Sequence, residues 1–253
     1  MGRILCVANQ KGGVGKTTTS VNLAASLAVL GKKTLLVDMD PQANASSGVG
    51  VRAGESDPTT YELLMGLKSF EDAARATEIA GLSLLPARRD LVGCEVELVS
   101  ADKREYRLRD AIKKGAEDYS YIIIDCPPSL GFLTLNSLVA AEAVIIPMQC
   151  EFYALEGLSQ LLHTVHRVKR NLNPGLDVEG IVLTMFDGRN NLSRQVEAEI
   201  KKHFRDKVFE AVIPRNVKLG EAPSHGRPAI AYDPRSTGAQ AYMEMAREIT
   251  ASA

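Results

Sequence analysis

Short apolar runs and longer amphipathic stretches alternate along this chain from its first residues nearly to its last, and that alternation sets the elements to expect. The runs at 4–8, 33–37, 82–86, 121–125, 143–148 and 178–185 are predominantly apolar rather than alternating, as strands covered on both faces of a parallel sheet are. Between them apolar residues recur at helical spacing. Residues 21–30 place Val21, Leu23, Ala24, Leu27 and Ala28 on one broad stripe, stopped by Gly31. The pattern predicts further helices at 59–65, 70–76, 130–141, 155–172, 192–204 and 237–249. It also predicts a mostly helical 91–115 and a last strand closing at 212–216. Segment 43–54 is small, polar and glycine-containing and reads as a loop, and 217–227 as a loop or short helix. With no internal repeat, low-complexity tract or linker, the pattern predicts an α/β fold and one domain over 1–253.

Composition changes that picture little, and charge changes it more. Apolar residues at 45% and charged residues at 24% are ordinary for a globular chain, and no apolar run reaches the length of a membrane span. The start leaves no room for a signal peptide before the first strand. Cys6, Cys94, Cys126 and Cys150 show no CxxC spacing, which suits reduced core thiols in the cytoplasm better than disulfides or zinc. The net charge of −1 conceals a gradient. Residues 55–110 hold 12 acidic against 8 basic side chains, and 189–227 hold 9 basic against 5 acidic. The late basic segment is therefore a candidate for phosphate backbones, although a merely solvated basic face has the same composition.

The candidate chemistry lies where strands end. Between the first run and the first helix stands Lys11-Gly12-Gly13-Val14-Gly15-Lys16-Thr17-Thr18, a glycine-rich loop of the kind whose backbone N–H groups cradle phosphate. Lys16 is placed to meet the β- and γ-phosphates and Thr17 to give its hydroxyl to Mg²⁺. The general P-loop pattern asks for glycine where Gln10 stands, and Lys11 is a surplus cation. The second run ends in Asp38-Met39-Asp40-Pro41-Gln42, and 121–124 ends in Asp125-Cys126-Pro127-Pro128. Carboxylates at the C-terminal ends of parallel strands lie where open α/β sheets bind ligands, and an apolar strand ending in Asp is the Walker B arrangement. His163 and His166 have neither a nucleophile nor a metal-ligand cluster beside them in the sequence.

These segments, together with Met185-Phe186-Asp187-Gly188-Arg189 and Ile213-Pro214-Arg215-Asn216-Val217-Lys218-Leu219-Gly220-Glu221-Ala222-Pro223-Ser224, resemble the ParA/Soj family of DNA-partitioning ATPases, up to about Tyr232. The resemblance implies a P-loop NTPase fold, a mostly parallel twisted sheet with helices on both faces. It implies ATP and Mg²⁺ as cofactors, and an ATP-bound homodimer in which Lys16 acts on its own nucleotide and Lys11 on the partner's. It further implies that Gly12, Gly13, Val14, Gly15, Thr17 and Thr18 bind phosphate, and that Pro214 and Asn216 hold the adenine. Asp40 orients the attacking water, while Thr17, Asp38 and Asp125 stand near the metal. Non-specific duplex DNA would meet Arg189 and Lys218, with Lys201, Lys202, Lys207 and Arg227 added from composition. A ParB-type centromere-binding partner would stimulate hydrolysis, in a cytoplasmic, nucleoid-associated cycle of chromosome or plasmid segregation. Ala43 departs from the glycine many relatives carry after Pro-Gln, and Lys218 from their frequent Arg. The rivals are a MinD-like ATPase, which would end in a basic amphipathic helix this sequence lacks, an iron–sulfur reductase using Cys94 and Cys126, and a positioner of non-DNA cargo. No stable membrane association is expected.

Overall fold

The computed structural model describes residues 2–151 and 154–251. Strands β1 (Arg3–Val7), β2 (Thr34–Asp38), β3 (Arg75–Ala76), β4 (Leu82–Leu85), β5 (Tyr121–Asp125), β6 (Ala143–Gln149) and β7 (Asp177–Thr184) form one sheet in the order β3-β4-β2-β5-β1-β6-β7. Every pairing is parallel except that of β3 with β4. The apolar runs are continuous because both faces are covered. Ile4, Cys6, Leu35, Ile122 and Ile124 point to one core, and Leu5, Val7, Leu36 and Ile123 to the other.

The helices, in chain order, are α1 (Lys16–Val29), α2 (Asn44–Gly48), α3 (Thr60–Met65), α4 (Phe70–Ala73), α5 (Gly93–Glu97), α6 (Arg107–Gly115), α7 (Phe132–Ala140), α8 (Ala154–Asn171), α9 (Asn191–Phe204), α10 (Val217–Glu221), α11 (Ala229–Tyr232) and α12 (Thr237–Ala251). Leu108 and Ile112 of α6, Leu133 and Leu138 of α7, and Leu158, Leu161 and Val165 of α8 fill the first core. Leu23 and Leu27 of α1 meet Tyr242, Met245 and Ile249 of α12 in the second. All four cysteines are free and buried.

Several expected elements differ. Helix α1 starts at Lys16, well before residue 21, because the glycine loop turns directly into it. The loop expected over 43–54 contains α2, entered through Ala43 at a left-handed φ of 54°. The mostly helical 91–115 is broken, with Lys103 at φ 52° turning the chain between α5 and α6. The helix expected to reach 76 stops at Ala73, since Arg75 and Ala76 pair with Leu84 and Ser83. The strand expected at 212–216 forms only an isolated bridge, Phe186 to Pro214, because a proline cannot donate to a ladder. No described helix is long and apolar enough to cross a membrane.

Candidate functional site

The register of the central strands builds the site. In the parallel ladder Val7 lies beside Asp125, and Asp125 beside Asp38, so the glycine loop and both carboxylates emerge together from adjacent C-terminal strand ends. Gly13 and Gly15 adopt φ of 76° and 87°, the left-handed turn that curls the loop ahead of α1 and that only glycine enters cheaply. Thr184 Oγ1 donates to the Val14 carbonyl at 2.8 Å and ties the loop to the end of β7. Lys16 is buried, and its Nζ donates to the Lys11 carbonyl at 3.0 Å, which holds the ammonium over the mouth of the loop. Burial pushes its pKa down, against the nearby Asp125 charge that favours the cation.

Two carboxylates with no exposed surface stand opposite that cation. Asp38 Oδ1 accepts from the Asp40 N–H at 3.1 Å, and its Oδ2 accepts from the Ser46 N–H at 2.8 Å and from Ser46 Oγ at 2.7 Å. Asp125 Oδ1 accepts from Ser20 Oγ at 2.7 Å, while Asp125 Oδ2 is buried with no hydrogen-bond partner among the described residues. Burial pushes Asp38 up to about 6, and burial together with the Asp38 charge pushes Asp125 up to about 8. An orphaned carboxylate oxygen beside a second carboxylate and the Thr17 hydroxyl is a donor set for a hard divalent cation. No group of three or more His, Cys, Asp or Glu that could hold a metal ion occurs among the described residues. Asp40, also buried, takes the Gln42 N–H on Oδ1 at 2.9 Å.

Lys11 has its side chain engaged outside the loop. Its backbone is held by Asn9 Oδ1 at 3.0 Å, and its half-exposed ammonium pairs with Glu151. On the other side of the loop, a cavity of about 240 Å³ is lined by Gly15, Thr18, Met185, Pro214, Asn216 and Tyr242. Both residues named for the adenine thus face one pocket beside the phosphate loop. Sequence reasoning missed Met185, which sits there at φ 49° with its sulfur accepting from Gln149 Nε2 at 2.7 Å, and Tyr242, whose hydroxyl lies 3.1 Å from Thr19 Oγ1. It also missed Ser20, Ser46 and Glu151, whose partners are remote in sequence and which carry no motif of their own.

A family profile described as an AAA domain matches residues 2–178. The chain is 56% identical to the chromosome partitioning protein ParA of Myxococcus xanthus, over 98% of this chain and 88% of that one. It is 55% identical to the sporulation initiation inhibitor protein Soj of Bacillus subtilis, with both chains fully covered. The chain belongs to the ParA/Soj family. Among solved structures, a cobyrinic acid a,c-diamide synthase from Mycobacterium smegmatis with bound ADP and magnesium is 38% identical, with a TM-score of 0.86 over 99% of this chain and 94% of that one. The cell division ATPase MinD of Pyrococcus furiosus is 29% identical, with a TM-score of 0.83 over all of both chains.

Of the basic residues named for DNA, Arg227 lines a cavity with Thr17 and Thr18 of the phosphate loop, and the electrostatic states of the set differ. Arg189, its side chain 92% exposed, is clamped by Asp187 at 2.9 and 2.8 Å, and this holds the Asp187 carboxyl down at about 2. Lys218 pairs with Glu221 at 2.9 Å. Lys201 and Lys202 of α9, named from composition, lean on Glu197 at 3.0 Å and Glu199 at 3.6 Å, and Lys207 on Asp177 at 3.0 Å. The charge gradient counted all five as free cations; folding gives each a carboxylate. Arg227 is exposed and its side chain makes no ion pair or hydrogen bond among the described residues. The segment that carries it is locked to the nucleotide end of the molecule. Asn22 of α1 donates from Nδ2 to the Thr18 carbonyl at 2.8 Å and accepts on Oδ1 from the Ala229 N–H at 2.7 Å. Gly50 and Gly226 then meet so closely that a Cβ on either would lie 2.9 Å from the other's backbone.

Proposed function

We propose that this chain is a ParA/Soj-type partitioning ATPase, one that binds ATP with Mg²⁺, dimerises around it, holds duplex DNA without reading its sequence, and releases it on hydrolysis. The observation that carries the nucleotide chemistry is the convergence of Lys16, Thr17 and the orphaned Asp125 carboxylate at neighbouring strand ends. Gly12 to Thr18 cradle the phosphates with backbone N–H groups, and Lys16 places its cation on the β- and γ-phosphates. Thr17 and Asp125 would hold Mg²⁺, with Asp38 behind them; the metal, when bound, neutralises charge on the phosphate oxygens. Asp40 orients the attacking water. Pro214 and Asn216 bound the adenine pocket, which supports a nucleoside triphosphate over a bare phosphate.

Lys11 is assigned to the partner's nucleotide. Among the described residues its ammonium is held only by a surface pair with Glu151, the kind of interaction worth less than about 1 kcal/mol. An incoming triphosphate on a second copy outbids it, by the same electrostatics through which an arginine finger stabilises a transferring phosphoryl group. Duplex DNA is assigned to the basic surface of Arg189, Lys218 and Arg227, and a ParB-type centromere-binding protein to the stimulation of turnover. Together these give a cytoplasmic protein cycling on the nucleoid. A membrane-positioning role is less favoured: the apolar residues of α12 through Ile249 are spent on the core against α1 and are not free for a bilayer.

The test is retention on a duplex of arbitrary sequence with and without ATP, followed by ATP turnover with that duplex and a ParB-type protein. ATP-dependent, salt-sensitive retention and accelerated turnover are expected. Retention indifferent to nucleotide would remove the DNA switch, and unaccelerated turnover would move the reading to another cargo. Lys11→Ala should abolish ATP-dependent dimerisation, read by sedimentation. A dimer that survived the change would end the shared-site assignment.

A further inference from the structure

Resting on the duplex-binding reading above, we propose that Arg215 is a principal DNA-phosphate contact, carried by the same five-residue loop that closes the adenine pocket. Residues 214–218 alternate in exposure. Pro214 and Asn216 are half-buried in the pocket wall, while Arg215, which borders the same pocket, and Val217 are exposed. The loop is pinned from behind: the Phe186 N–H donates to the Ile213 carbonyl at 3.0 Å, and the Arg215 N–H donates to the Phe186 carbonyl at 3.2 Å. Ahead of it, Asn216 caps α10, its Oδ1 accepting from the Lys218 N–H at 2.9 Å. Arg215 therefore stands between Arg189, whose carboxylate partner Asp187 already feels the Arg215 charge, and Lys218.

What distinguishes Arg215 from the paired cations around it is that no carboxylate is paired with it among the described residues, a state it shares with Arg227. Arg189 is clamped by Asp187, Lys218 by Glu221, Lys201 by Glu197 and Lys202 by Glu199. Each of these must loosen an existing pair before a phosphate gains from it. The Arg215 side chain makes no hydrogen bond or ion pair among the described residues, so it meets a phosphate without that cost and displaces a condensed counterion in full. A guanidinium fork also matches phosphate oxygens in bidentate geometry. Because the segment bounds the base pocket, adenine occupancy fixes the backbone on which Arg215 stands at the pocket's rim. Nucleotide and duplex thus meet on one short segment, and coupling between them is reciprocal by linkage.

The experiment is fluorescence anisotropy of a labelled duplex at saturating ATP and Mg²⁺ over a salt series, with the wild-type chain, Arg215→Ala, Arg215→Lys and Lys201→Ala. Nucleotide affinity is measured separately for each. Arg215→Ala should make the plot of log affinity against log salt shallower by about 0.9 for each copy of the residue lost. Arg215→Lys should retain the slope, and Lys201→Ala should change it little. An Arg215→Ala slope equal to that of the wild type overturns the assignment and leaves the duplex reading standing. So does an Arg215→Ala defect confined to the separately measured nucleotide affinity, which would place the guanidinium on the base instead. If the wild-type chain itself is not retained with ATP, the duplex reading falls and takes this inference with it.

Discussion

At the scale of single residues, the carboxylate pair decides how the protein responds to pH. Asp38 and Asp125 titrate at about 6 and about 8 in the folded chain because burial disfavours their charged forms. In the unfolded chain both fall near about 4. The metal-free fold therefore binds protons that the unfolded chain has released, so its stability is complete on the acid side and drains away as pH rises from about 4 through about 8. The slope approaches about 1.4 kcal/mol per pH unit wherever one carboxylate alone carries the difference. Denaturant unfolding in EDTA at pH 5.5 and 8 should show the loss, and Asp125→Asn should flatten it. An unchanged slope in that variant would mean the proton is held elsewhere. The placement of Lys16, Thr17 and Asp125 at neighbouring strand ends was legible in the sequence because loop, hydroxyl and strand-end carboxylate sit at fixed offsets from strand boundaries. Ser20, Ser46 and Glu151 were not legible, since each acts through a partner that only folding brings near.

At the scale of elements, α2 and the 222–228 segment behave as a packed pair. Helix α2 carries Ser46, which donates twice to Asp38, and its following turn meets Gly226 through Gly50. Gly226 has φ 62°, so alanine there is strained and also drives a Cβ into the Gly50 backbone. Gly226→Ala should cost about 1–3 kcal/mol and depress hydrolysis by displacing α2, read by denaturation and steady-state turnover. The control is Gly157→Ala in α8, where a Cβ would meet nothing within 4 Å; it should stabilise by about 0.5–1 kcal/mol. If Gly226→Ala leaves turnover intact, α2 tolerates the shift and the two segments are not mechanically joined. Reading 43–54 as a loop failed because α2 is short, polar and entered through a left-handed alanine, none of which leaves a periodic signal. Six of the seven strands, by contrast, were legible to within about a residue at each end, since burial on both faces favours apolar runs, whereas β3 was read as helix and the strand read at 212–216 forms only a bridge.

At the scale of the whole molecule, ligand binding should be visible as stability, because the loop, β2, β5 and β7 all contribute to one site. At a hundredfold excess of Mg·ATP over its dissociation constant, linkage adds about 2.7 kcal/mol. For a chain of this length that corresponds to a rise in melting temperature of roughly 5–10 °C, checked by thermal scanning with and without nucleotide. Lys16→Ala should erase the rise, and its persistence would put the nucleotide elsewhere. By itself the sequence determined the parallel α/β architecture, the phosphate loop, the carboxylate-ended strands and the family, because each is written in contiguous residues at fixed spacing. Tertiary structure alone decided which charges are spent. Lys201, Lys202 and Lys218 count as cations in the chain but find carboxylates a turn away, while Arg215, inside a quoted motif and unremarked there, is left unpaired. Pairing depends on distance in space, and a linear count of charge carries no distances.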